Sequence, residues 1–189
     1  MERAILEATL DLLAEGSFAG LSIEAVAARA GAGKATVYRR WQNKELLVID
    51  AVATLTEPVP PVLCGDLRTD LVSLLESVWR NAGSTRAGRI LPGLLAERAG
   101  GGQLFRLYQE RVITPRRQRF RSVLEAGMAA GSLRPDLDVE RAIDLLVGPV
   151  LYRSLLGAGR GPVREHQPAA IVDDVLLGLR VRPASDQPA

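Results

Sequence analysis

Between Arg29 and Lys44 the chain gathers Arg29, Lys34, Arg39, Arg40 and Lys44, with hydroxyls at Thr36 and Tyr38 and no acid among them. These groups bind phosphate through charge-assisted N–H···O and O–H···O bonds. The run Gly31-Ala32-Gly33-Lys34 poses a choice between a nucleotide's phosphates and those of a nucleic-acid backbone. A nucleotide cradle needs a glycine, four residues, then Gly-Lys-Ser/Thr, following a strand. Here Ala28 stands where the first glycine belongs and Ala35 follows the lysine. The preceding residues have helical spacing. The nucleotide reading fails on both chemistry and context.

A helix that reads the major groove needs small or polar residues in its first turn. Gly33, Lys34, Ala35 and Thr36 meet that need. A lysine at this place can reach guanine O6/N7 or a phosphate, and threonine offers a hydroxyl and a methyl. Tyr38, Arg39 and Arg40 would flank the backbone, where phenol and guanidinium groups take phosphate. Lys44 would open the following helix, where free backbone N–H groups also favour phosphate. The bland alternative is a solvated basic face, and for Val37 and Trp41 a place in the core is expected. The patch as a whole coincides with a turn and a helix, which favours DNA.

The elements that must position these groups are short helices. Ile5, Leu6, Thr9, Leu12 and Leu13 share one side of a helix over 2–14, which Gly16 ends. Ser22 caps a second helix with Ile23, Val26, Ala27 and Ala30 inward, and Gly31 suits the left-handed position after it. A third helix runs from Gly33 or Lys34 to about Arg40, and Asn43 caps a fourth that stops before Pro58. A glycine turn between the second and third makes a helix-turn-helix. The expected division is a head over 1–56, a proline-rich connector over 57–65, a larger helical part over 66–182 and a frayed tail over 183–189.

In the larger part, helices are expected over 66–82, 86–99, around Leu104 to Val112, from Pro115 to about Ala130, from Asp138 to Leu156 and from Ile171 to Leu179. The segment holding Ile143, Leu145, Leu146, Val147, Val150, Leu151, Leu155 and Leu156 is expected to be buried nearly all round. No stretch reads as a sheet. The fold class is all-α, with about nine or ten helices.

At 189 residues the chain can bury a core without a metal or disulfide staple. One cysteine (Cys64) excludes an internal disulfide, and together with the one histidine (His166) it falls short of a metal site's ligand set. His166 reads as a loop residue in GRGPVREHQP, so neither histidine-based catalysis nor a cofactor is expected. No signal segment or bilayer-length apolar run is seen, which points to the cytoplasm and away from a membrane. The net charge of +2 is small, but residues 1–28 hold Arg3 against Glu2, Glu7, Asp11, Glu15 and Glu24, so the basic run that follows stands out. The arginines of PRRQRFR (115–121) read as solvated, or paired with acids such as Glu110 and Glu125. One of them could instead meet an anionic ligand. A small helical enzyme and a helical interaction module are the rival classes. The first lacks a nucleophile–base pair and a diagnostic carboxylate pair.

The run GSFAGLSIEAVAARAGAGKATVYRRWQNKELL resembles the DNA-binding domain of the TetR family of transcriptional regulators over about residues 4–50. GDLRTDLVSLLESVW, TPRRQRF and GSLRPDLDVERAIDLLVGPVLYR are similar to one of that family's C-terminal subclasses. The resemblance implies operator contacts from Ser22, Lys34, Thr36, Tyr38 and Lys44, and a palindromic operator bound by a homodimer. It also implies a pocket for a small-molecule effector in the C-terminal helices. Candidate walls are Trp79, Leu91, Leu95, Phe105, Tyr108 and Tyr152, each of which could equally be plain core; Glu97 and Arg98 would join only if turned inward. In the family the last two helices build the dimer interface, for which the candidates here are Val147, Val150, Leu151, Leu155, Val172, Val175, Leu176 and Leu179. Many members carry a basic arm, whereas only Met1, Glu2 and Arg3 precede Ala4. That leaves little chain to supply minor-groove contacts.

Overall fold

A computed structural model of the chain describes residues 1–55, 64–83, 85–99, 102–155 and 167–179. Most of the proline-rich connector, His166 and the tail over 183–189 lie outside the described residues. Among the described residues there are ten α-helices and no strand, in keeping with the all-α expectation. They are α1 (Glu2–Glu15), α2 (Ile23–Arg29), α3 (Lys34–Tyr38), α4 (Lys44–Thr54), α5 (Leu67–Gly83), α6 (Thr85–Ala99), α7 (Gln103–Tyr108), α8 (Thr114–Ala129), α9 (Val139–Leu155) and α10 (Gln167–Leu179). Between α7 and α8 the chain makes a π-helical turn, Gln109–Ile113.

Side-chain caps set several helix starts. Ser22 Oγ accepts from the Ala25 N–H at 3.1 Å, Asn43 Oδ1 from Leu46 at 2.9 Å and Asp138 Oδ1 from Arg141 at 3.0 Å. Each meets one of the donors that a first helical turn leaves free. Pro115 is the second residue of α8 and directly follows the π-helical turn, so helical backbone lies on both sides of it. Gly31 closes α2 at φ 62°, while the Ala32 N–H reaches back to the Ala27 carbonyl at 2.9 Å. This is the Schellman closure, and an added Cβ would strain it. Gly93, inside α6, faces open space. Gly31→Ala is therefore expected to lower the free energy of unfolding by about 1 kcal/mol, and Gly93→Ala to raise it by about as much. Urea melts of the two variants should move in opposite directions.

Packing resolves two units, Met1–Glu57 with Gly83–Pro115, and Pro58–Ala82 with Arg116–Ala189. In the first, Ile5, Leu10 and Leu13 of α1 meet Val26 of α2, Val37 of α3, and Leu47 and Ile49 of α4 in one buried cluster. Ile90 and Leu94 of α6 and Leu104 of α7 belong to the same cluster. Arg86 adds ion pairs from α6 to Glu7, at 2.7 Å, and to Asp11 of α1. By packing, then, α6 and α7 go with the first four helices, although in sequence they follow the proline-rich stretch. The apolar sides of these helices are what decide it.

In the second unit, Leu71, Leu74 and Leu75 of α5 pack with Phe120 and Leu124 of α8, Ile143 and Leu146 of α9, and Val172 and Leu176 of α10. Arg68 clamps Asp173 with two bonds of 2.6 and 2.9 Å, tying α5 to α10. The expectation that α9 is enclosed all round is corrected here. Leu145, Leu151 and Tyr152 are 50%, 41% and 63% exposed, and Leu177 of α10 is 74% exposed. A core of this size covers one side of each helix and leaves the other apolar side bare.

Candidate nucleic-acid interface

α3 spans five residues, Lys34–Tyr38, and turns one side inward. Val37 is fully buried and Trp41, just beyond the helix, is 2% exposed. The Trp41 N–H bonds the Val37 carbonyl at 2.9 Å and so extends the turn. Gly33, the N-cap, has extended backbone (φ −73°, ψ 142°). With Val37 and Trp41 facing inward, Gly33, Lys34, Ala35, Tyr38, Arg39 and Arg40 are left exposed, with Thr36 half-buried beside them. This is the residue set expected for a groove-reading helix, and it lies on α3 and its immediate flanks. Arg39 and Arg40 follow the helix rather than end it.

Two cations of this face, Lys34 and Arg40, and Arg29 of α2 are paired with acids of the same unit. Lys34 Nζ lies 3.0 Å from Glu24 Oε1, Arg40 lies 2.5 Å from Glu2, and Arg29 lies 2.6 Å from Glu15. The Lys34 ammonium, followed by the backbone N–H of Glu24 itself, keeps the Glu24 carboxyl below its ordinary range. The Arg29 hydrogen bond does the same for Glu15, and Glu15 raises Arg29 in return. All these groups are exposed, so each pair is screened and exchangeable. Sequence reading named the cations but missed their acid partners. The signal was available: an acidic run over 1–28 followed by a basic one over 29–44 can fold back into pairs.

Lys44 is half-buried. Its Nζ donates to the Phe18 carbonyl at 3.2 Å and sits 4.4 Å from the centre of the Phe18 ring. The ammonium retains further donors for a phosphate, while its stem is fixed. Ser22 spends its oxygen on the cap of α2, leaving its O–H to donate. Behind the face, the Trp41 indole N–H donates to Asp50 Oδ2 at 2.9 Å, and Arg111 donates to Asp50 Oδ1 at 2.9 Å.

The candidate pocket residues divide between the units. Leu91 and Tyr108 pack against the first core, with Leu95 and Phe105 half-buried in the same unit. Trp79 packs against the second core, and Tyr152 is exposed. Glu97 is half-buried and the Arg98 side chain lies outside the described residues.

The interface candidates divide as well. Val150, Val172, Leu176 and Leu179 are between 0% and 4% exposed and form core. They have no surface left for a partner, so as interface residues they are corrected. Leu151 is exposed, Val147 and Val175 are half-buried, and the Leu155 side chain lies outside the described residues. The exposed large apolar side chains on these two helices are instead Leu145, Leu151 and Tyr152 of α9 and Leu177 of α10.

Two of the four arginines of α8, Arg117 and Arg121, are engaged by acids. Arg117 bonds Asp144 at 2.8 Å and Glu140 at 2.5 Å, and Arg121 also bonds Glu140. Their acids come from α9 rather than from Glu110 or Glu125. Glu140 and Asp144 hold Arg117 above its ordinary range against the opposing effect of burial.

A family model described as bacterial regulatory proteins, tetR family, matches residues 5–51, and one described as tetracyclin repressor-like, C-terminal domain, matches 64–175. The uncharacterized HTH-type transcriptional regulator YdeS of Bacillus subtilis (strain 168) is 35% identical over 82% of this chain and 78% of its own. The crystal structure of the TetR family transcription regulator SCO0332 aligns with a TM-score of 0.66 at 31% identity, covering 96% of this chain and 98% of that one. The fold is shared further with the transcriptional regulator FadR from Bacillus subtilis, solved in complex with stearoyl-CoA. That chain gives a TM-score of 0.69 at 17% identity, over 94% of this chain and 96% of its own.

Proposed function

Since the chain belongs to the tetR family and is a DNA-binding transcriptional regulator, we propose that it is a cytoplasmic repressor which releases its operator when a small molecule binds. Residues 1–56 are the DNA-reading head, and residues 66–182 carry effector binding and dimerisation. The observation that carries this reading is the outward face of α3, where Lys34, Ala35, Tyr38 and Arg39 stand clear while Val37 and Trp41 anchor the helix from behind. Lys34 and Thr36 read bases, with Gly33 and Ala35 allowing close approach. Ser22, Tyr38, Arg39, Arg40 and Lys44 hold phosphates.

The apolar side of α9 and α10 supports a homodimer, with Leu145, Leu151, Tyr152 and Leu177 at the contact. A two-fold pair of heads reads two half-sites, so the operator is a near-palindrome. Repression is supported by the repressor-like description of the matched C-terminal model. A small-molecule effector is supported by the structural neighbour that holds stearoyl-CoA. Release requires the effector to bind the DNA-incompetent state more tightly. Of the candidate walls, Leu91, Leu95, Phe105 and Tyr108 belong to the first unit, and their apolar and aromatic character suits an apolar or flat compound.

The test is selection of bound duplexes from random DNA, followed by gel-shift titration of the best site at several salt concentrations. Lys44→Ala is expected to weaken binding to every sequence and to reduce the salt slope by about 1, the signature of one phosphate contact. Lys34→Ala or Thr36→Ala should also change which sequence is preferred. Unchanged affinity in Lys44→Ala would overturn the contact assignment, and selection of no duplex would overturn the function.

A further inference from the structure

We propose that Asp50 and Arg111 are positioning residues for DNA recognition, acting through Trp41 on the back of the reading helix. The inference rests on the DNA-binding reading above and extends it to two residues that face away from the DNA.

Trp41 is 2% exposed, so its indole N–H is cut off from water and must be met within the protein. Asp50 Oδ2 meets it at 2.9 Å. The other oxygen, Oδ1, takes the Arg111 guanidinium at 2.9 Å, so one carboxylate serves two elements at once. Arg111 belongs to the π-helical turn, an arrangement that is rare and recurs where a helix serves a function. At the far end, Trp41 bonds the Val37 carbonyl through its backbone and directly follows Arg39 and Arg40. Fixing the indole therefore fixes the last turn of the segment that presents Tyr38 and Arg39.

The two bonds differ in kind. Asp50 and Arg111 are 43% and 49% exposed, so their ion pair is screened by water and salt. The indole bond is part-buried with its donor end in the core, and losing its acceptor strands that donor. Asp50 should thus matter more than Arg111, and its effect should depend on the indole N–H.

The experiment uses the full chain and the duplex that the unmodified chain selects from random DNA, with a scrambled duplex of equal length beside it. Asp50→Ala is expected to weaken the selected duplex about tenfold and the scrambled duplex about twofold or less, because discrimination needs a placed helix and non-specific attraction does not. Asp50→Asn keeps an oxygen for the indole and should recover most of the loss. Arg111→Gln should cost about two- to threefold. In a Trp41→Phe background, which keeps the ring and deletes the donor, Asp50→Ala should have almost no further effect. With Trp79→Phe in place, Trp41 is the remaining indole, and Asp50→Ala should shift its emission while Asp50→Asn should not.

An equal loss on both duplexes, or an Asp50→Ala effect of the same size with and without the indole N–H, overturns the proposal. Should Asp50→Ala fail to fold, the Arg111→Gln and Trp41→Phe pair decides the matter in the same way: additivity on the selected duplex overturns it. If the unmodified chain selects no duplex, the DNA-binding reading fails and this proposal with it. If it selects one and the variants leave discrimination intact, the proposal alone fails.

Discussion

Leu177→Glu is expected to convert the protein from a two-chain to a one-chain species and to weaken its operator by at least a hundredfold. Leu177 is 74% exposed on α10, and α9, which packs against α10, exposes Leu145, Leu151 and Tyr152. Burying one leucine side chain contributes about 1.5–3 kcal/mol. In a two-fold contact every such residue counts twice, and so does every inserted charge. An unpaired carboxylate buried there is costly enough to prevent closure. Each separated head would bind a half-site alone and lose the effective concentration that its partner supplies, typically a factor of about 10²–10⁴. Sedimentation at several concentrations measures the first effect and gel shift the second. The control is Leu176→Ala, one residue away but 2% exposed. It should lower stability by about 2–5 kcal/mol without a comparable change in subunit mass. If Leu177→Glu still sediments as two chains and holds its operator, the face on α9 and α10 is not the dimer contact.

The second large effect belongs to Trp41→Ala. The side chain is 2% exposed in the first core, and removing a buried aromatic of this size costs about 3–5 kcal/mol. Asp50 would lose its indole partner at the same time. The cost falls on the unit that carries the reading helix, so operator binding should vanish near the temperature at which that unit melts. Trp79→Ala, in the second unit and only partly buried, should cost less. Thermal melts followed by circular dichroism compare the two. A Trp41→Ala melt within a degree or two of the unmodified protein would mean that the cluster relaxes around the gap.

The head was the more legible half of the sequence. Ser22, Gly31 and Asn43 are residue types whose chemistry acts within three or four positions, and each does locally what its type implies. Val37 and Trp41 face inward because a short helix with two large apolar groups on one side has a single way to bury them. The long helices are different. α9 and α10 are apolar on more than one side, so periodicity marks them as helices without saying which side meets the core. That is why Val150, Val172, Leu176 and Leu179 were placed at the interface while Leu145 and Leu177 were not. The attachment of α6 and α7 to the head depends on contacts far apart in the chain, such as Arg86 with Glu7, which no local pattern contains. The π-helical turn has no sequence marker of its own, and it is what carries Arg111.

The acids beside Lys34, Arg40 and Arg29 bear on how such a protein finds its site in a genome. A head with free cations clings to any duplex and travels by sliding along it. One in which some cations already hold carboxylates, as Lys34 and Arg40 do, holds random sequence less tightly. It spends more of its time in free solution and samples distant stretches of DNA by separate encounters. On the contacts proposed above, bases and phosphates at the right site would replace Glu24 and Glu2. Arrival is then slower per encounter, but few copies are lost to the rest of the chromosome.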